Sequence, residues 1–589
     1  MRTSQVPGAE EKCGGRVDLF VKLERAVKEQ PAYLYKLIDA AWKESPRDTM
    51  VLLYNARDRD GGKGERDVAR MSLKYLSDSG RADAVQKNLP LLPTFGRWDD
   101  VLLLPGGIDH MARQLLEDLL ASTQRRKRKL TKRKAKRQLV KDKDEDEDLV
   151  VVEEDGMEMV NVVETSVPTD DIIKADEKVV TVQTPITLAA KWAPTIKHKL
   201  DKKHNLCKPL IAALQRVYEA EVKANPTKWQ PIRELLLRFS NKAGVGASGK
   251  LMFNERLYRR LLAHLREHLV VLERLMCQKR WNEINLNAVP SCAMKRMKKV
   301  LREKLGDKYT EWASSLKTGI NERTGEVAKV NAGQLYCHDV VHDAKNYFYS
   351  PNPVQEALVN QQWVEQLKKM ADLPAMRDVL AVVDVSGSMM SKIGTDTTVT
   401  AMDVAIALGL LTSSCVQGPF KDTFMTFTSE PQLFRPKGDD LMSKLRHMYS
   451  EESQQMIVGY DTNFQKVFDT ILDTAEANDL PAAEMPKTVL VLSDMQFNAP
   501  SCGTSSYCTN FEVLKQKYAD AGYPMPGIVF WCLRTSIANE FPVTTNEFNT
   551  AMVSGFSTNI LKQVMEGDMT PWKVVSRVIN DPRYKDIQV

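Results

Sequence analysis

The chain of 589 residues has no C-x-x-C pair, and its nine cysteines, from Cys13 to Cys532, are odd in number. That usage argues against a disulfide framework and a zinc knuckle, and for reduced thiols in a reducing compartment. No stretch approaches the ~18 continuous apolar residues of a membrane helix. The opening residues, MRTSQVPGAEEKCGG, lack an apolar core of signal-peptide length. Charge of one sign is missing too, since the formal net charge is only +6 with 27% charged residues. A polyanionic partner is therefore permitted by the composition and not required by it. The expectation is a cytoplasmic protein with access to the nucleus, with no membrane partner; oligomeric state is not legible. At this length two or three cores plus linkers are expected.

What is present falls into three grammars. From Val17 to about Ala121, apolar residues recur at helical spacing, as in VDLFVKLERAVKEQPAYLYKLIDAAWKES. Residues 124–138, QRRKRKLTKRKAKRQ, then carry ten Lys or Arg, and KDKDEDEDLVVVEEDGMEM reverses the sign. Such blocks repel themselves and bury little, which predicts a disordered charged insert over 123–183. The basic run also has the composition of a nuclear-import or RNA-contacting patch. Helical spacing resumes over 184–371, so the insert splits an α-helical module into 1–122 and 184–371. Over 372–589 the short apolar runs DVLAVVDVS, TFMTFTSE, KTVLVLSDM and GIVFWCLRT alternate with helical segments. That alternation predicts a doubly wound α/β domain, with ligands beyond the carboxyl ends of its strands. The fold class expected is thus α followed by α/β.

The stretch AVVDVSGSMM, residues 381–390, ends an apolar strand on oxygen-bearing side chains. Asp384, Ser386 and Ser388 form D-x-S-x-S, in which alternate residues can aim at one point. Thr462 lies in GYDTNF at a helix start, and Asp494 ends the strand VLVLSD. Two carboxylates and three hydroxyls suit a hard cation, Mg²⁺ or Mn²⁺, with water completing the octahedron.

These five residues resemble the metal-ion-dependent adhesion site of a von Willebrand factor A domain, with all five positions filled. The resemblance implies that Ser386, Ser388 and Thr462 are hydroxyl ligands. Asp384 and Asp494 would act directly or through water, leaving a position for a partner's carboxylate. Upstream, ARDRDGGKGERD (56–67), FGRWDDVL (95–102), LAAKWAP (188–194), residues 258–301 and VNAGQLYCHDVV (330–341) resemble a eukaryotic family joining a helical module to a C-terminal A domain. That helical part is similar in turn to the HEAT-like TROVE module of the Ro ribonucleoprotein autoantigen, which implies binding of structured RNA. Candidate phosphate-contacting residues are Arg57, Arg59, Lys63, Arg66, Arg97, Lys295, Arg296, Lys298, Lys299 and Arg302. Trp98, Trp192 and Trp281 are candidates for stacking on bases. For each one a solvated cation or a core Trp is the simpler explanation, and only clustering on one face changes that.

Other signals are weaker. GVGASGK (244–250) has Leu251 where a P-loop needs Ser or Thr. His264, Glu267 and His268 spell H-x-x-E-H inside an ordinary amphipathic helix. No serine elbow or Cys–His motif stands out. The expectation is a non-enzymatic binding protein, an RNA-associated ribonucleoprotein factor whose A domain holds an acidic protein partner through Mg²⁺. A protein–protein scaffold using the metal site without RNA is the alternative, and a Mg²⁺-dependent phosphate-ester enzyme comes third.

Overall fold

The computed structural model describes residues 14–123, 186–240, 251–321, 325–348, 350–371, 373–393, 398–453, 464–494, 506–533, 550–560 and 570–589. The basic run and the acidic stretch after it, read above as a disordered insert, lie outside the described residues, as does GVGASGK. Two compact units form: one contains the chain up to Gly107 together with Leu272–Val589, the other Ile108–Val271. The first helices therefore belong to the same unit as the later helices and the C-terminal sheet, and only residues 108–271 of the helical segment form the other.

Those first helices are α1 (Gly15–Lys22), α2 (Pro31–Glu44), α3 (Pro46–Arg57) and α4 (Arg66–Leu76). Pro31 and Pro46 occupy first helical positions, where a missing N–H costs nothing, and Ser45 caps α3 by accepting from Asp48 N–H at 3.3 Å. The turn between α3 and α4 folds back over α3, with Lys63 N–H bonded to Asn55 O at 3.0 Å. Gly62 is required there, because an added Cβ would lie 2.0 Å from the Asn55 carbonyl oxygen.

In the second unit the main helices are α5 (Cys207–Ala224), α6 (Pro226–Ser240) and α7 (Glu255–His268). Leu210, Ala213, Leu214, Val217 and Tyr218 of α5 are buried at i, i+3, i+4, i+7 and i+8, one stripe of a 3.6-residue helix. α7 buries Leu257, Tyr258, Leu261, Leu262 and Leu265, and is started by the Asn254 side chain accepting from Leu257 N–H at 2.9 Å.

In the first unit the chain continues through α8 (Ser291–Leu305), α9 (Cys337–Lys345) and α10 (Pro353–Ala371) into the sheet. The strands are β1 (Val379–Asp384), β2 (Phe424–Phe427), β3 (Leu433–Phe434), β4 (Thr488–Ser493), β5 (Gly527–Cys532) and β6 (Thr550–Ser554). Their order is β3-β2-β1-β4-β5-β6; all neighbours are parallel except the short edge pair β2–β3. Every residue of β1 and β4 is buried, as parallel strands covered on both faces require.

One face of the sheet, with Leu380, Val382, Val489, Val491 and Phe530, packs under Val467, Phe468 and Ile471 and under Leu514 and Tyr518. The other face receives α11 (Ala401–Cys415), which is buried almost all round, with α9 packed against it. α12 (Phe464–Ala477) and α13 (Ser506–Asp520) carry the first set, and α14 (Pro571–Asn580) packs on α1, α3 and β6. The protein is thus of the α and α/β class. No helix among the described residues is long and apolar enough to cross a membrane.

Candidate functional site

The strand order reverses between β1 and β4, and in an open parallel sheet that reversal leaves a crevice beyond the strands' carboxyl ends. D-x-S-x-S leaves β1 at this point. β1 and β4 are in register through Val383 opposite Leu492, so Asp384 and Ser493 come next to each other one residue further on. Asp384 is fully buried; its Oδ1 accepts from Ser386 N–H at 2.9 Å and its Oδ2 from Ser493 Oγ–H at 2.5 Å. Ser386 Oγ and Ser388 Oγ are 3.0 Å apart, and a short 3-10 turn, Gly387–Met390, leaves Ser388 exposed to solvent. Asp494, which follows β4 directly, is 3% exposed.

Burial raises the Asp384 carboxyl above its ordinary range; bonds from Ser493 and Ser386 oppose the rise, and the negative charge of Asp494 adds to it. Two carboxylates crowded at neighbouring strand ends are an arrangement that a cation relieves. The donor set fits a hard divalent ion: carboxylate and hydroxyl oxygens, with one hydroxyl open to water. No cluster of three or more His, Cys, Asp or Glu capable of holding a metal occurs among the described residues, and this set holds only two carboxylates. The structure therefore brings Asp384, Ser386, Ser388 and Asp494 to one crevice, whereas Thr462 lies outside the described residues. Ser493 was missed in the sequence. Its signal was available in VLVLSD, but nothing in a one-dimensional pattern tells a hydroxyl that steadies a neighbouring carboxylate from an ordinary polar strand end.

The phosphate candidates separate sharply. Arg57 and Lys63 are each 1% exposed and face inward. The Arg57 guanidinium meets Asp100, itself buried, with Nε at 2.7 Å and Nη2 at 2.6 Å. The Lys63 ammonium bonds Phe20 O in the last turn of α1, beside the carboxylates Glu24 and Glu65. Neither is available to a phosphate; both correct the sequence reading, because an inward-facing cation and an outward one look alike in sequence. Lys295 pairs with Asp339 at 2.6 Å, and Lys298 with Asp343 and the Tyr347 hydroxyl.

The other six stay outward or half-buried. Arg66 is exposed beside Asp67, and Arg59 reaches Gln334 O at 2.9 Å and Cys292 Sγ at 3.6 Å, by the start of α8. Burial lowers the Arg97 guanidinium below its usual range, and the positive Arg59, Arg57 and Arg66 deepen the effect while Asp99 works against it. Arg59 and Arg66 therefore each lie close enough to Arg97 for their charge to act on it. On α8, Arg296 and Lys299 are exposed and Arg302 half-buried, at helical spacing that puts them on one face. Trp98 is buried, while Trp192 and Trp281 are half-buried.

The H-x-x-E-H residues build no metal centre among the described residues. His264 Nε2 is 3.1 Å from Ser122 Oγ, His268 Nδ1 bonds His264 O, and the two rings lie 4.4 Å apart.

Comparison with known proteins matches two domain models to this chain. Residues 378–581 match the domain of unknown function DUF7788, and residues 109–376 match the domain of unknown function DUF2828. The junction between the two falls directly before β1, so the first of these matches spans the sheet and its helices. More particularly, the chain is similar to an uncharacterized protein of Acanthamoeba polyphaga mimivirus, 27% identical over 570 residues, covering 94% of this chain and 82% of the viral one.

Proposed function

We propose that this is a non-enzymatic binding protein whose α/β part is a von Willebrand factor A-like domain, capturing an acidic protein partner through Mg²⁺ or Mn²⁺ at the β1–β4 crevice. The reading is carried by one observation: Asp384, Ser386 and Ser388 leave β1 beside the Ser493–Asp494 end of β4, where the strand order reverses. Asp384, Ser386, Ser388 and Asp494 would hold the ion, with Thr462 as a further hydroxyl. The bound ion would supply positive charge that hydroxyl ligands leave largely uncancelled, available to a partner's carboxylate. Ser493 keeps Asp384 turned for this, and burial of Asp384 and Asp494 keeps water from competing for both carboxylates.

Titration with Mn²⁺ followed by electron paramagnetic resonance tests the reading. Saturable binding is expected in the wild type, with Asp494→Ala weakening it at least about tenfold at unchanged helix content, since each carboxylate supplies charge-assisted coordination worth several kcal/mol. Wild-type protein that does not bind Mn²⁺ overturns it.

Structured RNA is a second reading, favoured by the closeness of Arg59 and Arg66 to Arg97 and by the shared face of Arg296, Lys299 and Arg302. It would give the helical part a TROVE-like role. Filter binding of a structured RNA across salt concentrations should then lose affinity steeply, and an Arg296→Glu/Lys299→Glu variant should flatten that slope. No binding at low salt removes the RNA reading and leaves the protein-binding one.

A further inference from the structure

Beyond Ser388, residues 391–393 and 398–400 pair antiparallel as the two arms of a hairpin ahead of α11. Ser391 N–H donates to Ser388 O at 3.2 Å, Ala401 N–H to Ser391 O at 2.9 Å and Ile393 N–H to Val399 O at 3.1 Å; Lys392 and Thr400 form an antiparallel bridge. The exposed Ser388 is thus linked by backbone bonds to the first residue of α11.

A side chain from outside the sheet reaches this hairpin. His342 on α9 has Nε2 2.9 Å from Thr398 Oγ1 and Nδ1 3.2 Å from Asp403 Oδ2. Asp403 is nearly buried, accepts from Thr400 N–H at 3.0 Å in the capping box of α11, and also takes the Lys345 ammonium. Burial would raise its carboxyl, but His342, Lys345 and the Thr400 N–H hold it well below the ordinary carboxylate range. A carboxylate can only accept, so the proton sits on His342 Nδ1. In the neutral ring Nε2 then accepts from the Thr398 hydroxyl.

We propose that His342 is a positioning residue for the β1–β4 crevice: by bonding Asp403 and Thr398 at once, it holds the hairpin that carries Ser388 and couples α9 to the crevice. This rests on the cation-site reading above. His342 lies in the region matching one family and its two partners in the region matching the other, so the imidazole cross-links them. The groups facing it are Asp403 and Thr398, with Lys345 on its own helix and the Tyr449 ring 4.8 Å from Lys345 Nζ.

Glutamine and phenylalanine separate the hydrogen bonds from the volume. The Gln amide can donate to Asp403 and accept from Thr398, as the neutral imidazole does, whereas Phe fills the space and makes neither bond. Hydrogen exchange at 391–401 and Mn²⁺ titration are measured on the full chain. His342→Phe is expected to speed exchange at Ile393 and Ala401 and to weaken Mn²⁺ binding, each by about tenfold, the equivalent of one or two lost hydrogen bonds. His342→Gln should restore both to within about twofold, and Asp384→Asn should abolish Mn²⁺ binding while leaving hairpin protection intact. Unchanged exchange in His342→Phe overturns the cross-link, as does a Gln variant that behaves like Phe. Faster exchange with unaltered Mn²⁺ affinity overturns the positioning role and leaves the cation site standing. Wild-type protein that binds no Mn²⁺ instead overturns the cation-site reading and the positioning role with it.

Discussion

Asp384 and Lys63 are both buried ionisable residues, and their neighbours give them different work. Asp384 has both oxygens engaged, by Ser386 N–H and the Ser493 hydroxyl, in a crevice that opens at Ser388. Ser493→Ala removes one bond to a carboxylate and is expected to cost about 1.5–3 kcal/mol of stability, measured by denaturant unfolding, and to weaken Mn²⁺ binding as Asp384 loses its orientation. Lys63 sits instead against the Phe20 carbonyl and over the Phe20 ring, with Glu24 and Glu65 around it. Burial lowers its ammonium from 10.5 to about 8 and raises Glu24 from 4.5 to about 7. The signs follow from proton uptake. Glu24 binds its proton more tightly in the folded state, so its contribution is full below pH 4.5 and is lost as pH rises to about 7. Lys63 sheds its proton more readily in the folded state, so its contribution grows from about pH 8 to 10.5. The pair therefore stabilises least between pH 7 and 8. A Glu24→Gln/Lys63→Met double variant should flatten both slopes in urea midpoints taken across pH, and Lys63→Met alone should cost more than the double variant near pH 7.5, because it strands the carboxylate.

At the scale of elements, local pattern and close approach contribute separately. The run TAMDVAIALGLLTSSC announces a buried helix by being apolar all round, and Thr400 and Asp403 announce its start; both features are visible in sequence. Gly409 is different. An added Cβ there would lie 2.5 Å from Val383 Cγ2, so the glycine lets α11 approach β1, which no local pattern records. Gly409→Ala should therefore destabilise by about 1–3 kcal/mol in denaturant unfolding, although alanine is the better helix former by about 1 kcal/mol. The strands were legible for a comparable reason. Runs such as VLAVVD and TVLVLS are buried on both faces, and that gives them a continuous apolar signature. The two-residue strand β3 had no such signature, because an edge strand that short needs only its neighbour β2.

For the whole molecule, the ends of the first unit meet. Tyr584 OH donates to Asp58 Oδ2 at 3.0 Å and accepts from Asn55 Nδ2 at 3.0 Å; Arg583 Nη2 meets Asp58 Oδ1 at 2.9 Å. The Asn88 side chain exchanges two bonds with the Gln588 backbone, donating at 2.6 Å and accepting at 3.0 Å. Asp58 and Asn55 are fully buried, so removing residues 582–589 strands two polar side chains of the α3 region. That truncation is expected to cost about 3–5 kcal/mol and to raise hydrogen exchange through α3, while the central strands β1 and β4 keep their protection. Equal loss of protection in α3 and in the strands would mean that the docked segment supports the unit as a whole rather than the early helices.

The sequence by itself determined the α and α/β classes, the buried strands, and the oxygen-bearing turn after β1, because periodicity and strand-end chemistry are local properties of neighbouring residues. Tertiary structure alone decided which cations face inward, as Arg57 and Lys63 do, and that Ser493 steadies Asp384. It also brought the C-terminal segment to the early helices through Tyr584 and Arg583, and His342 to Thr398 and Asp403. Each of these is a pairing across a long loop of chain. Its free energy comes from burial and from hydrogen bonds that exist only once distant segments have packed, so no spacing along the sequence encodes it.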